Sequence, residues 1–460
     1  MVRRAVGIGV GLAMMAAWPV AAQTQPQPQR GTRNVEVLGL EVGTNVSTAD
    51  LPEETVFPGV SELPRLKSGF HSDVRAALRY QPIPGERLNY GINLQSAVRR
   101  YQSSEEFMVL GHSAGGNVGG KVGQRVFMSG FASASYLPSY GLNMAPLGDP
   151  FALTMATVEA GQLSSAAAAA GQLPASAVDY SLTRRTMAQV IGGGMIHSSL
   201  TRRLDMQVGY QQSRYEFSLD EDPDLRWQQA GGRLAYRLNR FLGLRLGVER
   251  RYADYATVTG VKTTVLDDID VGLESGYGRQ VNLTRSTALT FSTGSTLTHR
   301  NDQLGAQLTG GAALAQRIGR RGEASLAFTR GTELREGFDA PVFLNSVTAA
   351  MGVSIFRSLQ FVIDGGGATG RSLGDGDNGI EDEVRYYRGS ARLSYSVLRR
   401  LHVYGQYLVS GHDVGAAVGL IDGVPRNYWN RSLRAGVQWS VTLASQRRPA
   451  TPAVQAQGDN

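Results

Sequence analysis

The sequence predicts an all-β chain that closes into a transmembrane antiparallel β-barrel of about 18 strands, with 16 as the alternative count. Three observations carry this. Apolar and polar residues alternate with period two in segment after segment. Short arginine-bearing turns alternate with longer, often acidic connections, the asymmetry of a barrel with short periplasmic turns and long extracellular loops. Cysteine is absent, so an exported chain must be held by a large core or a closed hydrogen-bonded sheet. The 57 glycines and the modest 42% hydrophobic fraction suit many glycine-bearing strands better than a packed α/β core.

At the N-terminus, Arg3 and Arg4 precede an apolar run from Ala5 to Ala17, and Val20-Ala21-Ala22 supplies the small residues a signal peptidase reads. Residues 1–22 are therefore expected to be a cleaved secretory signal peptide and 23–33 a periplasmic linker. Residues 34–443 form the barrel and 444–460 a disordered periplasmic tail. Without Arg3 and Arg4, 44 basic side chains face 39 acidic ones, a net +5 that argues against a nucleic-acid partner. No later run of about 18 apolar residues offers a transmembrane helix.

The alternation is clearest in three segments. In "FLGLRLGVER", Leu242, Leu244, Leu246 and Val248 share one face and Gly243, Arg245, Gly247 and Glu249 the other. "RLNYGINLQSAVR" sets Leu88, Tyr90, Ile92, Leu94 and Val98 against Asn89, Asn93, Gln95 and Arg99. "NRSLRAGVQWSV" sets Leu433, Ala435, Val437, Trp439 and Val441 against Ser432, Arg434, Gln438 and Ser440. Similar segments lie near 70–82, 184–199, 202–218, 225–239, 287–299, 321–333, 343–357, 359–368, 384–398 and 401–410.

Between them run short turns such as "LNRF", "IGRRG" and "VLRRL" and longer connections such as "LDEDPD", "YATVTGVKTTVLDD" and "SLGDGDNGIEDE". Hairpins counted from residue 70 give 17 strands, and one near 34–46 makes 18, with both strand termini on the periplasmic side. A soluble sandwich or propeller also alternates, but it requires neither long strands throughout nor this loop asymmetry.

One connection is exceptional. Residues 139–182 contain "GDPFALTMATVEAGQLSSAAAAAGQLP", where Asp149 and Pro150 read as N-cap and first helical residue, with Phe151, Met155 and Val158 as an apolar stripe. Such an excursion either enters the lumen as a plug or lies on the surface as a loop.

"FMVLGHSAGGNVGG" contains Gly111-His112-Ser113-Ala114-Gly115, the spacing of a hydrolase nucleophile elbow. About half a chance match is expected in a chain this rich in glycine and serine. An elbow needs a helix after its serine, and Gly115, Gly116, Gly119, Gly120 and Gly123 forbid one. Read as a strand, the segment turns Gly111, Ser113, Gly115, Asn117 and Lys121 inward and Met108, Leu110, Ala114, Val118 and Val122 to lipid. His112 then faces lipid without an evident reason. His197, His299, His402 and His412 are undistinguished as partners for Ser113, and no catalysis is expected.

The inward face carries the chemistry. Alternation places Arg75, Arg79, Arg99, Arg233, Arg237, Arg245, Arg388, Arg392 and Arg434 on it, with Asp73, Asp205, Glu249 and Asp364 as partial offset. Guanidinium groups match carboxylates, so such a lumen favours anions, unless the charges pair among themselves and only stiffen the wall. Asp375, Asp377, Asn378, Glu381, Asp382 and Glu383 cluster in one loop but lack calcium-loop spacing and read as solvated. No metal or cofactor is expected. Tyr101, Tyr136, Phe217, Tyr252 and Trp429, near strand ends, suit interfacial girdles.

The unit "GGRLAYRLNRFLGLRLGVERRY", Gly231 to Tyr252, resembles the repeat of a β-barrel porin family of outer-membrane proteins common in alphaproteobacteria. "LTRRLDMQVGY" and "VLRRLHVYGQY" look like further copies, and the resemblance covers most of 70–443. It implies a barrel associated with exopolysaccharide export, passing acidic polymer through an arginine-lined lumen. A passive solute porin or a structural barrel is the alternative, and an outer-membrane lipid hydrolase using Ser113 the remote one. The implied partners are outer-membrane lipid and lipopolysaccharide, the barrel insertion machinery and periplasmic polysaccharide export components. The end departs from common barrels: Trp439 and Val441 are followed by a polar tail instead of a terminal aromatic residue. Either the insertion signal is internal or the tail is a handle for a periplasmic partner.

Overall fold

Every alternating segment becomes a long strand in the computed structural model, and together they form one antiparallel sheet that closes on itself. The structure describes residues 35–50, 69–80, 88–101, 107–137, 187–217, 224–239, 241–257, 260–275, 281–300, 303–333, 338, 341–372, 383–398, 400–415 and 426–442. The strands are β1 (Val35–Asp50), β2 (Gly69–Tyr80), β3 (Leu88–Tyr101), β4 (Phe107–Val122), β5 (Val126–Leu137), β6 (Met187–Ser199) and β7 (Leu204–Phe217). They continue as β8 (Leu225–Arg237), β9 (Leu242–Thr257), β10 (Gly260–Ser275), β11 (Val281–Asn282), β12 (Thr287–Arg300) and β13 (Gln303–Ile318). The last are β14 (Gly322–Glu333), β15 (Val342–Ser354), β16 (Leu359–Ser372), β17 (Glu383–Leu398), β18 (Leu401–Val414) and β19 (Asn427–Thr442).

β11 is a two-residue continuation of β10 along β12: Leu273 of β10 faces Thr293 and Val281 of β11 faces Leu289. The wall thus has 18 staves, and β1 closes it by pairing with both β19 and β2. Val35 opposite Thr442 puts the start of β1 and the end of β19 on one rim, which also carries the turns at 123–125, 200–203 and 319–321. The other rim carries the connections at 138–186, 373–382 and 416–425. Gly123 (φ 72°) and Gly319 (φ 63°) close two of the short turns in the left-handed region, where any side chain is strained. The signal peptide, the linker, the excursion at 139–182 and the C-terminal tail lie outside the described residues. Among those described, no helix is long and apolar enough to cross a membrane.

"YATVTGVKTTVLDD" is not a loop. Its residues complete β9 and begin β10, with Thr257 opposite Gly260. Thr264, Leu266, Asp268 and Asp270 alternate with Val265, Asp267, Ile269 and Val271, a strand pattern that continues to Glu274.

The exposed face is apolar around the wall: Ile92, Leu94, Val118, Val208, Leu246, Val271, Leu326 and Leu433 all stand on it, as a lipid-facing belt requires. Tyr136 and Tyr252 are exposed there too, and Trp429 packs under the Arg431 guanidinium, 4.1 Å from the ring centre. The side chains of Tyr101 and Phe217 lie outside the described residues. A cation placed in the belt must be taken out of water. Leu246→Arg is therefore expected to destabilise the folded barrel by about 2–4 kcal/mol, read from urea unfolding in lipid vesicles.

His112 has its explanation in the sheet. It lies on the outer face opposite Ser96 of β3, and its Nδ1 is 3.0 Å from the Ser96 hydroxyl. A polar pair satisfied across two strands can be tolerated at a lipid-facing wall where an unpaired imidazole could not.

Candidate pore lining

The inner face divides into two charged strips with different chemistry. On β9, Arg245, Glu249 and Arg251 point inward, and on β10 the same parity brings in Asp268, Asp270 and Glu274. Arg245 Nη2 donates to Asp270 Oδ1 at 2.9 Å, and its Nε lies 2.6 Å from Oδ2. Arg251 pairs with Asp268, and its Nε is 3.2 Å from Glu249 Oε1. Arg233, on β8, reaches over β9 to pair with Glu274. In register Arg233 faces Gly247 and Glu274 faces Gly243, so each end of the reach over β9 meets a glycine that adds no side chain. These three ion pairs form a matched ladder with partly to fully buried members.

The second strip lies on β17, β18 and β19, where register builds transverse rungs. Arg388, Ser410 and Asn430 form one, Ser390, Leu408 and Ser432 the next, and Arg392, Gln406 and Arg434 a third. Arg388 makes no ion pair with any described residue, and its Nε is buried without a hydrogen-bond partner there. Arg392 donates to Gln438 at 3.2 Å and lies over the Tyr404 ring at 3.8 Å. Arg434, 1% exposed, donates to the Ser432 hydroxyl at 3.0 Å. Asp364 on β16 accepts from Ser390 at 2.5 Å.

Of the nine arginines expected inside, Arg233 and Arg245 thus join the ladder, and Arg388, Arg392 and Arg434 form the second strip. Arg237 is half-buried on the same inner parity at the short-turn end of β8. Arg75, Arg79 and Arg99 lie on described strands, but their side chains are outside the described residues; register sets them opposite Ala97, Asn93 and Asp73 respectively. Sequence reasoning missed Asp268, Asp270 and Glu274 because β10, whose first half read as a connection, was not read as an alternating strand, and missed Arg251 because the alternation of β9 was followed only to Arg250. The expectation that acids offset the arginines only in part is corrected for this strip: every ladder arginine has its own carboxylate.

Ser113 is inward and 5% exposed, on β4 between Gln95 of β3 and Ser135 of β5. Ser135 in turn donates to Gln189 Oε1 of β6 at 3.1 Å. His197 stands eight residues further along β6 than Gln189, about 26 Å at strand rise. His197 is instead 3.9 Å from Asp205, His402 is 2.9 Å from the Ser396 hydroxyl, and His412 stacks on Tyr428. The side chain of His299 lies outside the described residues. No group of three candidate metal ligands occurs among the described residues. Within the acidic connection, only Glu383 is described; it pairs with Arg385 at 2.5 Å.

Neither a protein-family model nor a curated protein matches the chain. Solved structures similar to it include OpdL of Pseudomonas aeruginosa, at 10% identity, covering 90% of this chain and 99% of that one with a TM-score of 0.40. OccAB4 of Acinetobacter baumannii is 10% identical over 90% and 100% of the two chains, with a TM-score of 0.38. The siderophore receptor PirA from Pseudomonas aeruginosa is 10% identical over 89% and 80%, with a TM-score of 0.40.

Proposed function

We propose that this chain is an outer-membrane porin whose lumen passes anionic solutes, secreted acidic exopolysaccharide foremost. The observation that carries the reading is the segregation of the two faces of one closed sheet. The outer face is an apolar belt, and the inner face bears arginines on two of the three rungs of β17 to β19, four residues apart along β17. Inside a lumen, such cations raise the local anion concentration and oppose cation entry. Asn430 and Gln406 within the arginine rungs, and Ser390 and Ser432 between them, suit hydroxyl-rich chains.

The reading places the short-turn rim in the periplasm, where export components would deliver polymer. Lipid and lipopolysaccharide contact the belt, and the barrel insertion machinery installs it. Export would follow removal of residues 1–22. No catalytic step is assigned; purified protein is expected to hydrolyse no acyl ester, and Ser113→Ala to change nothing in conductance. Reconstitution in planar bilayers under a potassium chloride gradient tests the reading. A reversal potential toward that of chloride, with current blocked by a polyuronate, is expected. A cation-selective channel would sink it, and anion current indifferent to the polymer would leave a passive solute porin.

A further inference from the structure

The inner face is not polar throughout. At the rim of the long connections the inward positions turn apolar, with Tyr215 on β7, Trp227 on β8, Leu266 on β10, Leu344 on β15, Val384 on β17 and Val414 on β18. Leu266 and Val384 are 0% exposed. All six belong to a single buried apolar cluster, which Phe338 from the connection after β14 joins. β8 and β17 are eight steps apart around the 18 staves, close to the half-turn. A buried cluster drawn from both sides therefore crosses the lumen.

Arg251 lies beside this cluster, directly opposite Leu266 in register. Its side chain is 11% exposed and paired with Asp268 and Glu249. It also reaches β14, where Nη1 donates to the Thr332 carbonyl at 2.5 Å. β14 is four staves from β9, so this hydrogen bond is a chord across the lumen, not a neighbour contact.

We propose that this apolar collar is a hydrophobic gate that holds the lumen closed at the long-connection rim, and that Arg251 is the positioning residue that pins it. An apolar constriction expels water, and an ion cannot cross where its hydration is removed and nothing replaces it. Apart from Arg251 at its upper end, the charged strips lie below the collar, so selectivity and closure belong to different levels of one pore. The inference rests on the pore reading above.

The test is single-channel recording of the full-length, signal-processed protein in planar bilayers, comparing wild type with Leu266→Ser/Val384→Ser and, separately, Arg251→Gln. Wild type is expected to be closed for most of the record. Each variant should raise open probability by about tenfold, an order-of-magnitude expectation for weakening one buried contact set. The heat-dependent shift in electrophoretic mobility shows which variants are folded, and only folded ones are scored. Wild type open for most of the record, or folded variants of both kinds as closed as wild type, would overturn the gate. The pore reading fails by a different readout: open variants that prefer cations sink it and leave the gate standing.

Discussion

Asp270→Asn is expected to destabilise the barrel by about 3 kcal/mol, seen as a lower urea midpoint with unchanged slope in lipid vesicles. The cost falls on the partner left behind. The Arg245 side chain is 8% exposed, so its charge is stabilised by Asp270 and not by water. Removing one member of a buried pair strands the other, and such losses run to about 3–5 kcal/mol. The low end applies because Asp270 is itself 27% exposed and already shares its charge with solvent. The same inequality makes the reverse substitution milder. Arg245→Met leaves a carboxylate that water reaches, and should cost clearly less than Asp270→Asn. Arg245→Met with Asp270→Leu should recover most of the loss, since the pair need not outperform apolar contacts of similar volume. A wild-type midpoint for Asp270→Asn would show that Arg245 is solvated in the folded barrel, and the ladder would lose its structural role.

The sequence made the wall legible because a strand's side chains can only alternate, and one face of this wall meets lipid. Leu242 to Val248 and Leu433 to Trp439 fall as the alternation requires, and the count of 18 follows once 35–50 is admitted as a strand. Two features escaped. β10 carries Asp267, Asp268, Asp270 and Glu274, and runs of acids resemble loops, so the carboxylates that neutralise Arg233, Arg245 and Arg251 were invisible. Their own alternation with Ile269, Val271 and Leu273 was the available signal. The collar escaped for a subtler reason. In "LRWQQAGGRLAYR" the apolar residues change face: Leu225 and Trp227 point inward, Leu234 and Tyr236 outward. A phase change within one strand marks where the lumen stops being aqueous, and a test for a single period averages it away. The Ser96 partner of His112 could not be read either, because cross-strand register depends on the length of the connection at 102–106.

Neutralising Arg388 as glutamine is expected to lower the anion-to-cation permeability ratio about fivefold. Removing Arg233 and Glu274 together, both as glutamine, should leave it within experimental error. The contrast follows from charge balance. Arg233 and Glu274 are within salt-bridge contact, so from the lumen they act as a dipole, and deleting both changes no net charge. Arg388 has no ion pair with a described residue, and its Nε is buried without a hydrogen-bond partner there. An ion passing about 8 Å from a unit charge in water feels roughly 0.5 kcal/mol, favourable for an anion and unfavourable for a cation, so losing this one charge shifts the ratio by about 1 kcal/mol, or fivefold. That separation is near the screening length at physiological ionic strength, so the effect should shrink in molar salt. A ratio unmoved by the Arg388 substitution, or moved as much by deleting the matched pair, would take selectivity away from this strip. The measurement needs an open pore, so it is best made in a Leu266→Ser/Val384→Ser background. There the reversal potential reports on the strip alone, whatever the collar does to the time spent open.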